Sequence, residues 1–207
     1  MHIPIIILPL LIFLSLNNAN ADSVSDATKA LQAIVKEKFT IINYDIGDLN
    51  NDGLEDWVGI ITFEKLSGTT QRLCVLTRDV SNGLVLAEAT RETTYTDCGG
   101  SCGSEVMVSN GSFYVTQFSR WGGGGSSSAK TQFKLYKNIW RAIGYTAFDM
   151  DLNNGSDFTR DTNLLTGAYK TVANSVDASG KPNKPKNTSG TGKSVMQLLK
   201  DLDLSQH

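Results

Sequence analysis

Histidine is almost absent from this chain of 207 residues, which contains only His2 and His207. A Ser-His-Asp triad, a Cys-His pair or a histidine-ligated zinc site each needs an imidazole inside the fold. His2 lies in an apolar leader, and His207 is in a terminal segment that is expected to fray. The sequence therefore argues against all three kinds of site.

Cysteine is also scarce, and three cysteines are too few for a four-thiolate zinc site. The spacing predicts a small disulfide between Cys98 and Cys102 that leaves Cys74 unpaired, although pairing of Cys74 with either one is also compatible with the sequence. A redox-active pair is disfavoured, because disulfide oxidoreductases normally have two residues between their cysteines.

The chain has no excess of basic charge, with 19 Lys and Arg against 21 Asp and Glu. A nucleic-acid-binding protein normally carries a basic face or stripe. We therefore expect no nucleic-acid partner.

The only long apolar run is residues 3–16, which is too short to span a bilayer comfortably. Small residues at 19–21 precede Asp22, so we predict a signal peptide over residues 1–21 and an exported, periplasmic or secreted protein with no membrane span after cleavage. The segment lacks Lys and Arg before its apolar run, which leaves an uncleaved anchor as the alternative. In such a compartment disulfides persist.

One stretch has the spacing of a calcium loop. Calcium takes six to eight oxygen ligands, and oxygen-bearing side chains at alternate positions can curl around one point if the chain then turns sharply at a glycine such as Gly53. The Glu expected at position 12 of an EF-hand is replaced by Gly59, so an EF-hand is disfavoured. A turn rich in Asn and Asp without an ion is the alternative. The predicted ligands are the side chains of Asp48, Asn50, Asp52 and Asp56 and the backbone carbonyl of Leu54.

The segment 47–58, between two β-rich flanks at 40–46 and 57–63, resembles the FG-GAP/VCBS-type calcium loop of integrin-like β-propellers. It is also similar to largely uncharacterised bacterial secreted proteins that carry one copy of this loop. The segments 121–125, 143–144 and 163–167 look similar to elements of those proteins. The resemblance implies a bacterial, exported, calcium-binding β protein.

Short strands separated by turns dominate the chain from residue 40 to residue 176, with turns predicted at residues 81–83, 110–111 and 138. We predict a mainly β, antiparallel single domain with propeller-like or sandwich-like sheets. A full propeller is disfavoured because no second copy of the loop recurs at a blade-like period. The predicted flanking elements are an N-terminal helix over 22–39, a polar loop over 177–194 and a C-terminal helix over 195–207 that packs on the domain.

Arg120 and Trp121 precede a run of glycines and form a candidate interface, because Arg and Trp dominate binding energetics. The alternative places Trp121 in the core beside a long hairpin loop. Together these features predict a non-catalytic, calcium-stabilised module that binds another exported protein, for example as a periplasmic immunity or inhibitor protein. The alternative function is a cell-wall or glycan hydrolase that uses two carboxylates from among Glu64, Glu88, Glu92 and Glu105.

Overall fold

The computed structural model describes residues 12–66, 68–81, 83–94, 101–121, 123–195 and 197–205. This part of the chain forms one α-helix, α1 (Ile12–Ile34), and two antiparallel sheets, which confirms the predicted mainly β, antiparallel class. The strands are β1 (Thr40–Gly47), β2 (Asp56–Lys65), β3 (Gly68–Arg78), β4 (Leu84–Ala89), β5 (Thr93–Thr94), β6 (Ser101–Ser109), β7 (Ser112–Trp121), β8 (Gly125–Tyr136), β9 (Ile139–Asp151), β10 (Ser156–Asn163), β11 (Ala168–Asn174) and β12 (Lys186–Thr191).

Helix α1 differs in both limits from the predicted helix over 22–39, since it begins at Ile12 and ends at Ile34. Ala27 and Leu31 are buried against the first sheet. The last predicted residues leave the helix because the chain must turn into β1, and Phe39 packs on the same apolar cluster from the connection between α1 and β1. Residues 1–11 lie outside the described residues, so the signal peptide stays a prediction. No helix in the described part of the chain has the length and apolar character needed to cross a membrane.

The first sheet has the order β1-β2-β3-β4, with β5 also paired to β3. Its central strand β2 is buried on both faces because successive side chains point to opposite sides of a sheet. Trp57, Ile61 and Phe63 face α1, whereas Val58 and Ile60 face a second cluster shared with the other sheet. The first sheet is therefore a middle layer.

The second sheet is a seven-stranded meander with the order β12-β11-β10-β9-β8-β7-β6. One of its faces contributes Val106, Phe113 and Phe133 to the shared core. The predicted turns at 110–111 and 138 are present, and Asn110, Gly111, Lys137 and Asn138 have positive φ, as a tight two-residue hairpin turn requires.

The C-terminal part of the chain differs from prediction in two places. The predicted polar loop over 177–194 contains the strand β12, which forms by pairing with β11. In place of a helix over 195–207, residues 197–205 contain only a 3-10 turn at Leu199–Asp201. This segment is held extended, since the N–H of Ala142 donates to the carbonyl of Gln197 at 2.9 Å. Its leucines are nevertheless buried in the shared core, as expected for a segment that packs on the domain: Leu199, Leu202 and Leu204.

The two sheets meet along the edges of β1 and β6. Asn43 Oδ1 accepts a hydrogen bond from the N–H of Val106 at 2.6 Å, and Asp45 Oδ2 accepts one from the N–H of Val108 at 2.7 Å. Gly47 permits the close approach, because a Cβ at this position would stand 2.7 Å from Val108 Cγ1. The loop that follows β1 therefore begins at the junction of the two sheets.

Candidate functional site

The loop between β1 and β2 turns back on itself at two residues in left-handed conformations. Asn51 has φ 63° and Gly53 has φ 85°. Asn and Gly adopt this conformation more readily than other residues, and Gly53 was the expected turn residue whereas Asn51 was not. The turn brings the side chains of Asp48, Asn50 and Asp52 around the backbone amides of residues 52–54.

Hydrogen bonds within the loop connect these side chains. The Asp48 carboxylate accepts from the N–H of Asp52 at 3.2 Å and from the N–H of Gly53 at 3.0 Å. Asn50 Oδ1 accepts from the N–H of Asp52 at 2.9 Å, and Asn50 Nδ2 donates to Asp52 Oδ2 at 2.8 Å. Asp52 Oδ1 accepts from the N–H of Leu54 at 2.8 Å. This is a nested set of Asx turns, in which side-chain oxygens fix the backbone that follows them.

Asp56 lies at the base of the loop and is fully buried. Its two oxygens accept from the N–H of Leu49 and from the N–H of Arg78, each at 2.9 Å, so it fastens the start of the loop to β3. Burial raises the pKa of the Asp56 carboxyl above its usual value, and the negative charges of Asp52 and Asp48 raise it further. A cation beside these three carboxylates would offset both effects.

The donor chemistry of the loop suits a hard cation. Asp48, Asn50, Asp52 and Asp56 offer the carboxylate and amide oxygens that calcium prefers, and an oxygen that accepts one hydrogen bond keeps a second lone pair. The carbonyl of Leu54 would complete the predicted set. Across the described ranges, no three or more His, Cys, Asp or Glu side chains are grouped as a metal site, so calcium binding stays a prediction.

Four glutamates were candidates for paired-carboxylate chemistry, and the structure places them in different surroundings. Glu92 accepts hydrogen bonds from Lys65 and from Arg72, and the bond from Lys65 lowers the pKa of the Glu92 carboxyl. A general acid needs a raised pKa, which is the opposite change. Glu64 is exposed on β2 and accepts from the hydroxyl of Thr69, while Glu88 lies on β4 and Glu105 is exposed on β6.

Two of the three cysteines fall within the described residues. Cys74 is a buried free thiol on β3, and burial raises its pKa to about 12. Cys102 is disulfide-bonded. Cys98 lies outside the described residues, so its pairing with Cys102 stays a prediction.

Arg120 and Trp121 are the last two residues of β7. Arg120 is exposed, while the side chain of Trp121 lies outside what the structure describes. The glycine-rich turn beside them is tied to the neighbouring hairpin, because Asn153 Nδ2 donates to the carbonyl of Gly123 at 2.7 Å and the N–H of Leu152 donates to the carbonyl of Gly124 at 2.5 Å. The structure thus places Arg120 beside a braced hairpin tip.

The outer face of the second sheet, meaning the face opposite its buried residues Phe113 and Phe133, was not anticipated from the sequence. Phe118, Phe148 and Val172 lie in one row across it, joined through Ser128 and Thr159 in the strand register. The alternation of Phe118 with Gln117 and Ser119 favours a buried Phe118, whereas the structure buries Gln117 and Ser119 and directs Phe118 to the outer face.

A groove of about 750 Å³ lies beside this row on the same outer face. Lys130 crosses the ring of Tyr114 at 4.5 Å from its centroid, and Thr146 donates a hydrogen bond to Asp161 at 2.7 Å. The groove is lined by apolar atoms together with charged side chains, which include the further cation Lys170. The apolar row therefore has charged side chains beside it.

These features define a two-sheet antiparallel β protein with one helix-covered sheet, one sheet with an open outer face, and a loop of nested Asx turns at their junction. Comparison with family models, with curated proteins and with solved structures finds no match to this chain. The likeness of the loop to FG-GAP/VCBS-type proteins stays a resemblance of sequence.

Proposed function

We propose that the protein is an exported, non-catalytic protein-binding module whose loop over 48–56 is stabilised by one calcium ion. The observation that carries the binding role is the outer face of the second sheet. There Val172 is 37% exposed in the same row as Phe118 and Phe148. Met107 and Tyr136 are exposed in other rows of the same face. Exposed apolar surface bordered by polar residues is typical of protein interaction sites.

The proposed calcium ion would be held by the oxygens of Asp48, Asn50, Asp52 and Asp56 and by the carbonyl of Leu54. The ion would supply positive charge where the negative charges of Asp52 and Asp48 raise the pKa of the Asp56 carboxyl. The loop residue Leu49 is fully buried in the core shared by the two sheets, so a stiffer loop would also stabilise their junction.

A role as a periplasmic immunity or inhibitor protein is the specialisation we propose within this class. Its support is the predicted signal peptide together with a surface suited to a protein partner. No described contact favours the alternative hydrolase. Glu92 is the one candidate glutamate with a shifted pKa, and its cationic neighbours lower that pKa.

The test compares two identical substitutions at exposed valines on different sheets. Val172 on β11 is 37% exposed and Val85 on β4 is 48% exposed, so Val85→Lys is a matched control for Val172→Lys. The tagged exported chain and both variants would be used to retain proteins from a periplasmic extract of the source organism, with calcium and with chelator. Retention of one stoichiometric protein by the wild type and V85K, but not by V172K, would support the proposal. Equal retention of the partner by the wild type and both variants would show that the outer face is not the binding surface.

A further inference from the structure

Strand β12 is an open edge of the second sheet. Five of its six residues are exposed, and it is hydrogen-bonded only to β11 in the described strand pairing. The opposite edge of the sheet, β6, is covered by Asn43 and Asp45, which accept hydrogen bonds from its backbone. The chain therefore blocks one edge and leaves the other accessible.

The strand register identifies which groups of β12 face outward. The N–H of Gly192 donates to the carbonyl of Gly167 at 2.8 Å, one step beyond the pair Thr191 and Ala168. Hydrogen-bonded and non-hydrogen-bonded pairs alternate along an antiparallel ladder. The even-numbered residues of β12 therefore direct their backbone N–H and C=O groups toward β11. The backbone groups of Asn187, Ser189 and Thr191 consequently point away from the sheet.

The composition of this edge differs from that of a protected one. Natural sheets usually block an edge strand with charge, proline or a bulge, and residues 187–191 contain neither proline nor a charged side chain. The charges lie at the two ends of the strand, at Lys184, Lys186 and Lys193. From residue 178 to residue 200 the sequence has no Asp or Glu. The edge is thus a neutral backbone template between cationic ends.

Tyr169 adds a side-chain contact at the same edge. A Cβ at Gly190 would lie 2.7 Å from the hydroxyl oxygen of Tyr169, so the ring of Tyr169 reaches over β12 toward its open side. Arg160 stacks on this ring at 4.5 Å from its centroid, which holds the ring in place. An incoming strand would meet an ordered aromatic side chain opposite Gly190.

We propose that β12 accepts an extended, acidic segment of the partner protein as an eighth strand of the second sheet. This inference rests on the proposed function of a protein-binding module and adds where and how the partner is bound. Added strands gain affinity from backbone hydrogen bonds and specificity from flanking side chains. The lysines at both ends select an acidic segment, and they disfavour a second copy of this chain, because pairing β12 with itself would bring lysines together.

The experiment uses the full exported chain and six-residue peptides that match the length of β12. One peptide alternates Glu and Val, the second alternates Lys and Val, and the third is the Glu peptide with N-methylated amides. The expected result is that only the first shifts the NMR amide signals of Asn187, Ser189 and Thr191. Equal shifts from the first two, or shifts confined to Phe118, Phe148 and Val172, would overturn the proposal, as would a concentration-dependent dimer formed through β12.

Variants separate the backbone contribution from folding effects. Ser189→Pro removes an outward N–H without removing a bond to β11, so it should abolish peptide binding, whereas Ser189→Ala should retain it. If S189P disturbs the fold, a second variant with Lys184→Glu and Lys186→Glu replaces it. This double variant should bind the Glu peptide about tenfold more weakly and should keep the NMR spectrum of a folded protein. Unchanged affinity in that double variant would contradict the selection of an acidic segment.

The outcomes also distinguish this inference from the proposed function. Partner retention that is sensitive to V172K but not to S189P would keep the binding module and reject the strand addition. Retention that is sensitive to S189P alone would keep both binding and strand addition and remove the outer face. The absence of both partner retention and peptide binding would reject both proposals.

Discussion

The Asp45 carboxylate spans the line where the two sheets meet, accepting a hydrogen bond from the N–H of Val108 at 2.7 Å. Its other oxygen accepts from the N–H of Ile46 at 2.9 Å, so the side chain is fixed at both oxygens. One carboxylate thus joins the first sheet to the second and occupies a backbone donor on the edge of β6.

Replacing Asp45 with alanine should lower the free energy of unfolding by about 1–3 kcal/mol, because the N–H of Val108 loses its acceptor in a partly buried place. Urea denaturation of the two proteins measures the difference. Glu105→Ala, at an exposed residue of β6, is the control and should change stability by less than about 0.5 kcal/mol. Equal effects of the two substitutions would show that the Asp45 bond contributes nothing to stability.

Leu49 should matter more for stability than its position in a loop suggests. It is fully buried in the shared core, so Leu49→Ala should cost about 2–5 kcal/mol. Leu66 also lies in a loop and is fully exposed, which makes Leu66→Ala a matched control with a cost below about 0.5 kcal/mol. Thermal and urea unfolding would compare them, and a cost for L49A similar to that of L66A would contradict the described core.

Calcium should raise the stability of the wild type by about 2.7 kcal/mol when its free concentration is about a hundred times the dissociation constant. Asp52→Asn should reduce this increment. Asp79 is a useful control because its carboxylate organises another Asx turn, accepting from the N–H groups of Ser81 and Gly83, outside the candidate loop. Asp79→Asn should lower the melting temperature equally with calcium and with chelator. A wild-type melting temperature that is the same in both conditions would reject the ion.

Glu92 should make stability depend on acid pH. The hydrogen bond from Lys65 holds the pKa of the Glu92 carboxyl below its usual value of 4.5. A carboxyl whose pKa is lowered by folding contributes stability that is complete above its unfolded-state pKa and is lost as pH falls through its folded-state pKa. The wild type should therefore lose more stability than Glu92→Gln as the pH is lowered from about 6 to about 3. Glu64→Gln, on the exposed face of β2, should follow the wild type, and urea titrations at each pH would decide between these outcomes.

The thiol of Cys74 should be unreactive in the native protein. Burial raises its pKa to about 12, and the thiolate is the reactive form. Iodoacetamide should label this residue only after denaturation, as judged by mass spectrometry of peptides. Rapid labelling of the native protein at neutral pH would mean that β3 is accessible in a way that the structure does not show.

Local chemistry made part of the fold predictable. Tight hairpin turns need residues that adopt positive φ, and Asn and Gly do so readily. The turns at Asn110 and Gly111 and at Asn138 were predictable for this reason. β12 was missed because both its faces are exposed, so its sequence lacks the apolar alternation by which strands are recognised. The leucines at 199 and 202 have a spacing compatible with a helix, but packing in the shared core holds them in an extended segment with one 3-10 turn.

The turn of the candidate loop was predictable from the sequence, but the hydrogen bond that ties the loop to β3 was not. Regular spacing was enough to expect Asp48, Asn50 and Asp52 around one turn. The bond from the N–H of Arg78 to Asp56 joins residues 22 positions apart, and no local pattern encodes it. Contacts of this kind depend on the tertiary arrangement. The row of Phe118, Phe148 and Val172 was unpredictable for the same reason, because strand pairing brings its members together.

The meander of the second sheet has a consequence for its internal motions. Each strand from β6 to β12 pairs with its neighbours in sequence. The buried residues that the strands of this sheet give to the shared core come from β6, β7, β8 and β9, and none of those described comes from β11 or β12. Local opening should therefore require progressively less free energy toward β12, and amide hydrogen exchange should be slowest in β2 and β3 and fastest in β11 and β12. An incoming strand that adds to β12 would slow exchange in the part of the sheet that opens most readily.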